Sequence, residues 1–289
     1  MTVIAVANPA SGSGKATQLL TELISKAPFK IIPIHCPSAI ESSQMLRAKI
    51  QSEDVTDVVA IGGDGLVHLC IQEIAQTKIK LHVIPAGTGN DFASSCGRSK
   101  IEILSTISEI SKGSTSQIDL GLVTFSSGKH WFGQVLSTGF DAIVNERANR
   151  IRFIKGQMKY KIATLLVLLR FKPIQYRLVI DGENRTLDAM LVSVANGPSY
   201  GGGMLICPMA DRNDGFLDVI IIKPVSKFEL LRVFPKVFSG SHVSHPKIQF
   251  IRAKNISIDA ETLAFADGEF ISQLPINVVA VSDALVIAN

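Results

Sequence analysis

The sequence predicts two domains, a doubly wound α/β domain built on a largely parallel sheet and then a β-rich domain. Two observations carry this. In the first third, short β-branched runs alternate with helical patterns, as strand–helix–strand units require. After about Asp119 the texture changes to strands separated by turns. The 289 residues suffice for two domains, and 46% apolar with 19% charged content is that of a chain with true cores.

In the first domain, strands are expected at Val3–Ala7, Lys30–Ile34, Val58–Ile61 and Leu81–Ile84, and helices around Ala16–Lys26, Ser42–Ile50 and Leu66–Thr77. Sheets of this kind bind ligands beyond the carboxyl ends of their strands, so the loops that follow these strands are where chemistry is to be sought. In the second domain, strands are expected at His130–Ser137, Ile174–Ile180, Ala189–Ala195, Leu217–Ile222, Ile248–Ile258 and Leu263–Ala266. The run from Ile174 puts Ile174, Tyr176, Leu178 and Ile180 on one strand face, the alternation of a half-buried sheet. Helical patterns interrupt it near Lys155–Arg170 and Lys227–Phe238.

Composition excludes several classes of function. A formal charge of +4 is too small to mark a nucleic-acid binder. Cys36, Cys70, Cys96 and Cys207 are far apart and form no CxxC pair, so neither a disulfide scaffold nor a zinc site is suggested, and a reducing cytoplasm fits. The start of the chain has no basic segment before its apolar run and reads as a strand. The longest apolar run, Ile162–Leu169 broken by Thr164, falls far short of the roughly 20 residues that span a bilayer. A soluble or peripheral protein is expected. His242 and His245 sit in a Gly/Ser/Pro loop with no third ligand nearby and are rejected as metal ligands. His68 and His82 read as local packing or hydrogen-bond partners.

Three glycine-bearing loops follow candidate strands. Asn8-Pro9-Ala10-Ser11-Gly12-Ser13-Gly14-Lys15 joins the first strand to the first helix, and small residues there let N–H groups approach a phosphate. It is not a P-loop, since Pro9 stands where the first Gly is needed and Ala16 replaces the magnesium-binding Ser/Thr. Gly62-Gly63-Asp64-Gly65 follows a buried strand at once. Its glycines permit close backbone approach, and Asp64 can act through the metal carried by a nucleoside triphosphate. Pro85-Ala86-Gly87-Thr88-Gly89-Asn90-Asp91-Phe92 supplies hydroxyl, amide and carboxylate groups, although Asn90 or Asp91 would also serve simply as a helix N-cap. Convergence of the three loops on one crevice makes a nucleotide the obvious occupant.

These segments, followed by Asn196-Gly197, Tyr200-Gly201-Gly202-Gly203-Met204, Asp214-Gly215-Phe216-Leu217-Asp218 and Asp267-Gly268-Glu269, resemble the ordered signature of the diacylglycerol-kinase catalytic family, in its compact bacterial form. The resemblance implies a Rossmann-like nucleotide-binding domain over residues 1–120, joined by the last strand at 276–289. It also implies a β-sandwich lipid-substrate domain over 121–275, with the active site in the cleft between them. ATP and Mg2+ would be the cofactors. Asn8, Gly62, Gly63, Asp64, Gly65, Gly87, Thr88, Gly89 and Asn90 would line the nucleotide site, and Glu269 would be the general base. Asp214, with the backbone carbonyls of Asp211 and Phe216, matches the positions of a structural magnesium. The chain departs from the family in reading Leu66-Val67-His68-Leu69 after the Gly-Gly-Asp-Gly motif, where Thr and then Asn-Glu are usual. That departure is similar to the sphingosine-kinase branch.

Phosphoryl transfer needs positioning, charge neutralisation and a group to take the hydroxyl proton. Asp267 and Glu269 are two apart, so a continuing strand would put them on one side, Glu269 as base and Asp267 as its orienting neighbour; alternatively Asp267-Gly268 is a hairpin turn. Asn196-Gly197 and Gly201–Gly203 would form an opposite wall with room for a bulky acceptor, or be only turns and bulges. Between Arg147 and Arg177 there are nine Lys/Arg residues and no acid, interleaved with apolar residues. This stretch, 147–177, suits peripheral contact with an anionic membrane, or a helix with a packed apolar side and solvated lysines. The expected reaction is transfer of the ATP γ-phosphoryl group to a lipid hydroxyl, with diacylglycerol first and sphingosine, ceramide or phosphatidylglycerol as alternatives. An NAD kinase and a non-catalytic lipid- or nucleotide-binding regulator are the rival readings, and a homodimer is left open.

Overall fold

The computed structural model describes residues 1–9, 11–98, 100, 102–140, 142–144, 147, 167 and 171–288. The expected helix over Lys155–Arg170, and most of the basic stretch 147–177 with it, lies outside the described residues. The chain divides into two compact units, residues 1–119 with 282–289 and residues 120–281.

The first unit contains β1 (Thr2–Ala7), α1 (Lys15–Lys26), β2 (Ile31–His35), α2 (Ala39–Ser52), β3 (Val55–Gly62), α3 (Asp64–Ile74), β4 (Lys80–Pro85), α4 (Asp91–Ser95) and α5 (Ile103–Lys112). Its strands pair in parallel in the order β2-β1-β3-β4. Both faces of this sheet are covered, which is why β1 and β3 read as unbroken apolar runs and are fully buried from Val3 to Ala7 and from Val58 to Ile61. On one face α1 sets Ala16, Leu19, Leu20 and Leu23 at helical spacing against Ile103, Ile107 and Ile110 of α5. Strand alternation turns Ile4, Val6, Val58 and Ala60 to the other face, where α2 and α3 pack together. Ser38 accepts the Glu41 N–H and starts α2 earlier than the apolar pattern suggested. Helix α3 begins at Asp64 rather than Leu66, so the Gly-Gly-Asp-Gly motif straddles a strand end and a first helical turn.

The second unit is a β-sandwich. Its strands are β5 (Thr115–Phe125), β6 (Gly128–Phe132), β7 (Val135–Thr138), β8 (Ile174–Ile180), β9 (Glu183–Ala189), β10 (Leu191–Ala195), β11 (Leu217–Ile222), β12 (Ile248–Ala253), β13 (Asn255–Asp259), β14 (Leu263–Ala266) and β15 (Glu269–Gln273). One antiparallel sheet runs β12-β11-β10-β7-β14-β15. Across from it lies the antiparallel set β13-β8-β9. Leu136, Val194 and Val219 of the first share one core with Tyr176, Leu178, Ile256 and Ile258 of the second. The final strand, β16 (Ile276–Ala288), serves both units. Asn277–Val279 pair with β13, and Val286 and Ile287 pair in parallel with Lys80 and Leu81 of β4.

Three runs expected as single strands are broken. His130–Ser137 divides at Gly133-Gln134, Ala189–Ala195 at Met190, and Ile248–Ile258 at Lys254, where β12 and β13 enter different sheets. The physical cause at two of them is a carboxylate that takes backbone N–H groups away from the ladder. Asp181, in the β8–β9 turn, accepts from Lys254 and from Asn255, the latter at 2.8 Å. Asp267 does the same at residues 133–135.

The parallel sheet also holds a buried aspartate–histidine pair. His82 Nε2 on β4 donates to Asp57 Oδ1 on β3 at 2.9 Å, with Lys80 Nζ 3.9 Å from the same oxygen. Burial opposes ionisation of Asp57, but hydrogen bonds from His82 and Thr56 and the charges of His82 and Lys80 outweigh it and hold the carboxyl below its ordinary range. A carboxyl so lowered adds stability that is complete above about pH 4 and is lost as pH falls through the lowered folded value. Urea midpoints measured from neutral pH into acid should therefore decline more steeply for wild type than for Asp57→Asn. Parallel declines would remove Asp57 as the titrating group.

Candidate active site

The three glycine-bearing loops are built by backbone contact. Strands β1, β3 and β4 are parallel, so the loops after them leave from one edge of the sheet. The loops after β3 and β4 touch without side chains between them. A Cβ on Gly87 would stand 2.4 Å from Gly63 Cα, and one on Gly63 would stand 3.1 Å from Gly87 Cα. The Ala86 N–H donates to the Gly62 carbonyl at 2.8 Å. The first loop joins them through Gly12, whose backbone is left-handed and where a Cβ would lie 2.7 Å from the Ala86 carbonyl oxygen. Glycine is thus required at Gly12 and Gly87 for this approach, and Gly63 leaves little room for more.

The polar residues of these loops first hold the loops themselves. Asn90 has φ of +56°, and its side chain accepts from the Gly87 N–H and donates to the Gly87 carbonyl, each at 3.0 Å. Asp64 reaches across from the first turn of α3, and its Oδ1 accepts the Phe92 N–H at 3.0 Å, which caps α4. The sequence had offered Asn90 or Asp91 for that cap. Asn8 accepts the Ser11 N–H through its carbonyl, and Thr88 is exposed. Leu66 covers Gly62, its Cδ2 2.7 Å from where a Cβ would be, so the departure from the family motif places an apolar group beside the loop. His68 is buried on α3 beside the Gln72 amide, at 3.4 Å. The loops and the first turn of α3 leave N–H groups as the means of holding an anion.

On the second unit, Asp267 and Gly268 have φ of +50° and +90° and form the β14–β15 hairpin turn. The strand pattern therefore does not continue through them, and the two-apart argument for a shared face of Asp267 and Glu269 fails. Asp267 Oδ2 accepts from Gly133 at 2.9 Å, and Oδ1 accepts from Gln134 at 2.9 Å and Val135 at 3.1 Å. It holds the β6–β7 break in place. Glu269 stands exposed at the start of β15, opposite Ala266 in register.

The β6–β7 break carries a cluster in which Gln134 and Arg212 were missed by sequence reasoning. The Asn196 and Gly197 N–H groups donate to the Gln134 carbonyl at 2.8 and 3.0 Å, and Asn196 Nδ2 donates to the Gly133 carbonyl at 3.0 Å. Arg212, buried, donates to Gln134 Oε1. A Cβ on Gly197 would fall 1.8 Å from Gln134 Oε1, so the space beside Gly197 is filled and offers no room for a bulky acceptor. Gly201, Gly202 and Gly203 all have positive φ, between the bridged residues Tyr200 and Met204, and a Cβ on Gly203 would meet open space. The available signal was Gly133, an isolated glycine within a strand run, which marks a bulge or break.

The acidic loop is tightly turned. Asp211 Oδ1 accepts the Asn213 N–H at 3.0 Å, Asp214 Oδ1 accepts the Phe216 N–H at 2.9 Å, and Asp214 Oδ2 pairs with Arg252. The Arg252 guanidinium lies 4.6 Å from the centre of the Phe216 ring. Burial, joined by the negative charge of Asp214, raises the Asp218 carboxyl above its ordinary value. Among the described residues no three His, Cys, Asp or Glu side chains are grouped to hold a metal ion. His242 is buried with its ring on the Ile206 carbonyl, while His245 faces Glu229 at 3.3 Å. The buried thiols of Cys70 and Cys207 are both pushed up to about 12, chiefly by burial, and belong to the packing.

Residues 2–123 match the family model described as the diacylglycerol kinase catalytic domain, and residues 134–289 match the YegS C-terminal NAD kinase beta sandwich-like domain. The chain is 39% identical over 289 residues to a diacylglycerol kinase of Mycobacterium tuberculosis (strain ATCC 25618 / H37Rv), covering 98% of this chain and 93% of that one. It is 25% identical to the diacylglycerol kinase of Staphylococcus carnosus (strain TM300), over 93% of this chain and 89% of that one. Among solved structures, a diacylglycerol kinase from Bacillus anthracis str. Sterne superposes with a TM-score of 0.72 at 20% identity, covering 100% and 97% of the two chains. An NAD kinase from Archaeoglobus fulgidus in complex with ATP shares the fold at 0.54 and 13% identity, covering 100% and 94%. An α/β unit with three touching glycine loops, a β-sandwich carrying Asp267-Gly268-Glu269, and these matches over nearly the whole length agree: the chain belongs to the diacylglycerol kinase family and is a lipid kinase.

Proposed function

We propose that this kinase transfers the γ-phosphoryl group of ATP to the free hydroxyl of diacylglycerol, giving phosphatidic acid. What supports the proposal is that one chain carries two built features, the Gly63–Gly87 contact in its first unit and the Asp267-clamped turn that presents Glu269 in its second. In this reading the N–H groups around Gly62–Gly65 and Gly87–Asn90 hold the phosphates, with Asn8 and the Thr88 hydroxyl beside them. Glu269 accepts the proton of the acceptor hydroxyl as it attacks. Asp64 and Asp267 act through the loops they hold. The identity to the M. tuberculosis diacylglycerol kinase supports the choice of acceptor. Leu66 beside Gly62 favours a sphingoid base as the second reading, since it repeats that branch's departure from the motif.

The loop Asp211–Phe216 offers carboxylate and main-chain carbonyl oxygens, the hard donors a magnesium ion takes. Asp214, with the carbonyls of Asp211 and Phe216, would hold it, Asp214 exchanging its pairing with Arg252. A bound cation would stiffen the loop that carries Arg212.

Radiolabelled ATP presented with diacylglycerol, sphingosine, ceramide, phosphatidylglycerol and NAD should label diacylglycerol, and label on sphingosine or NAD alone would overturn the assignment. Glu269→Gln should lower kcat by about 10²–10⁴-fold while leaving ATP binding intact, the loss expected for a general base. Equal turnover in the two proteins would remove Glu269 from that role. Gly87→Ala forces the two loops apart at a cost of about 1–3 kcal/mol; its melting temperature should fall, and calorimetric titration should show weakened ATP binding with Glu269-dependent groups untouched. Magnesium chloride should raise the melting temperature of wild type above that in potassium chloride of equal ionic strength, and Asp214→Asn should erase the increment. An undiminished increment in the variant would place the cation elsewhere.

A further inference from the structure

The segment after β11 exposes large apolar side chains that the fold does not use. A short helix, Lys227–Val233, runs into a 3-10 turn, Phe234–Ser239. Its inward side is fixed. Leu230 packs with Phe140 and Met190, Val237 packs with Tyr200 and Ile206, and the Leu205 N–H donates to the Val237 carbonyl at 3.0 Å. A capping box between Ser226 and Glu229 sets the start of the helix. With the inner positions filled, Phe228 and Leu231 have nowhere to turn. Phe228 is 86% exposed and Leu231 is 49% exposed, and Phe238 beyond them is 48% exposed.

Phe228, Leu231 and Arg232 stand three and four residues apart, on one side of the helix. The charges around them have one sign. From Lys223 to Lys247 the cations are Lys223, Lys227, Arg232, Lys236 and Lys247, and the only acid is Glu229, which is engaged in the capping box and faces His245. Aromatic and aliphatic tips among lysines and arginines fit the interface of an anionic bilayer, where the rings enter the headgroup region and the cations meet phosphate.

We propose that the outward face of residues 227–238 docks this kinase on anionic lipid bilayers, with Phe228, Leu231 and Phe238 inserted and Arg232 and Lys236 at the headgroups. The segment lies outside 147–177 in sequence, and the inference rests on the acceptor being a lipid delivered in a membrane. The test is sedimentation with sucrose-loaded vesicles of phosphatidylcholine alone, or of phosphatidylcholine and phosphatidylglycerol in equal amounts. Wild type should bind the mixed vesicles, far less the neutral ones, and more weakly as salt is raised. Phe228→Ser combined with Leu231→Ser should reduce binding at least about tenfold, and Arg232→Glu with Lys236→Glu by about fivefold or more per charge at low ionic strength. These side chains are exposed, so melting temperatures should stay at the wild-type value.

Transfer to a short-chain acceptor dissolved in detergent should remain at the wild-type rate in both variants, while transfer to acceptor in vesicles falls with binding. If vesicle binding behaves as described and no diacylglycerol is phosphorylated, the acceptor assignment fails and the docking surface stands. Variants that sediment like wild type would overturn the docking surface. So would a concentration-dependent dimer on gel filtration that the same substitutions dissolve, which would give the face to a second copy of the chain.

Discussion

The backbone contact between Gly63 and Gly87 is the constraint from which the three glycine-bearing loops follow. Two loops leaving adjacent parallel strands meet main chain to main chain, so Gly87 has no room for a side chain and one on Gly63 would press on Gly87. The Ala86 to Gly62 hydrogen bond continues the strand pairing to the last residue before the contact, and Gly12 brings the third loop against Ala86. Asn90 must then turn the chain sharply and does so in the left-handed region, with its amide folded back on Gly87. What remains at this edge is main chain, suited to binding phosphate by N–H groups and unsuited to acid–base work.

The second unit solves a different problem with a carboxylate. Asp267 collects three N–H groups from residues 133–135, and that segment in turn holds Asn196, Gly197 and Arg212. Charge-assisted bonds of this kind are stronger than neutral ones and are costly to leave unmade when half-buried. Asp64 plays a comparable part in the first unit by capping α4. Of Asp64, Asp267 and Glu269, the first two are thus structural clamps, and Glu269 is the one left exposed beside a rigid turn.

The architecture was legible because its signals are local. Buried parallel strands, helical spacing in α1 and α3, and glycines at the strand ends all follow from nearest-neighbour chemistry. The strand breaks were not, because alternation of apolar residues persists across Gly133 and Lys254, and the groups that break the ladders are distant in sequence. In both cases the distant group is the aspartate of an Asp-Gly hairpin, Asp181 or Asp267, with positive φ in the turn. The hairpin was readable as a turn, while its carboxylate's reach to another strand was not. Gln134 and Arg212 were hidden for the same reason, since their roles exist only once β6, β7 and β10 are assembled.

The division of β16 between the two units has a consequence for how the chain is made. Val286 and Ile287 supply the neighbour of β4, and the Ala288 carbonyl accepts from Arg98 at 3.1 Å. Until they arrive, the first unit has strand β4 paired on one side only, though all its other strands were synthesised long before. Its sheet is finished by contacts of very high sequence separation, which are slow to form, and an unpaired β4 edge during that interval is open to wrong partners. The parallel sheet of the first unit is therefore finished only after every residue that separates β4 from β16 in sequence has been made.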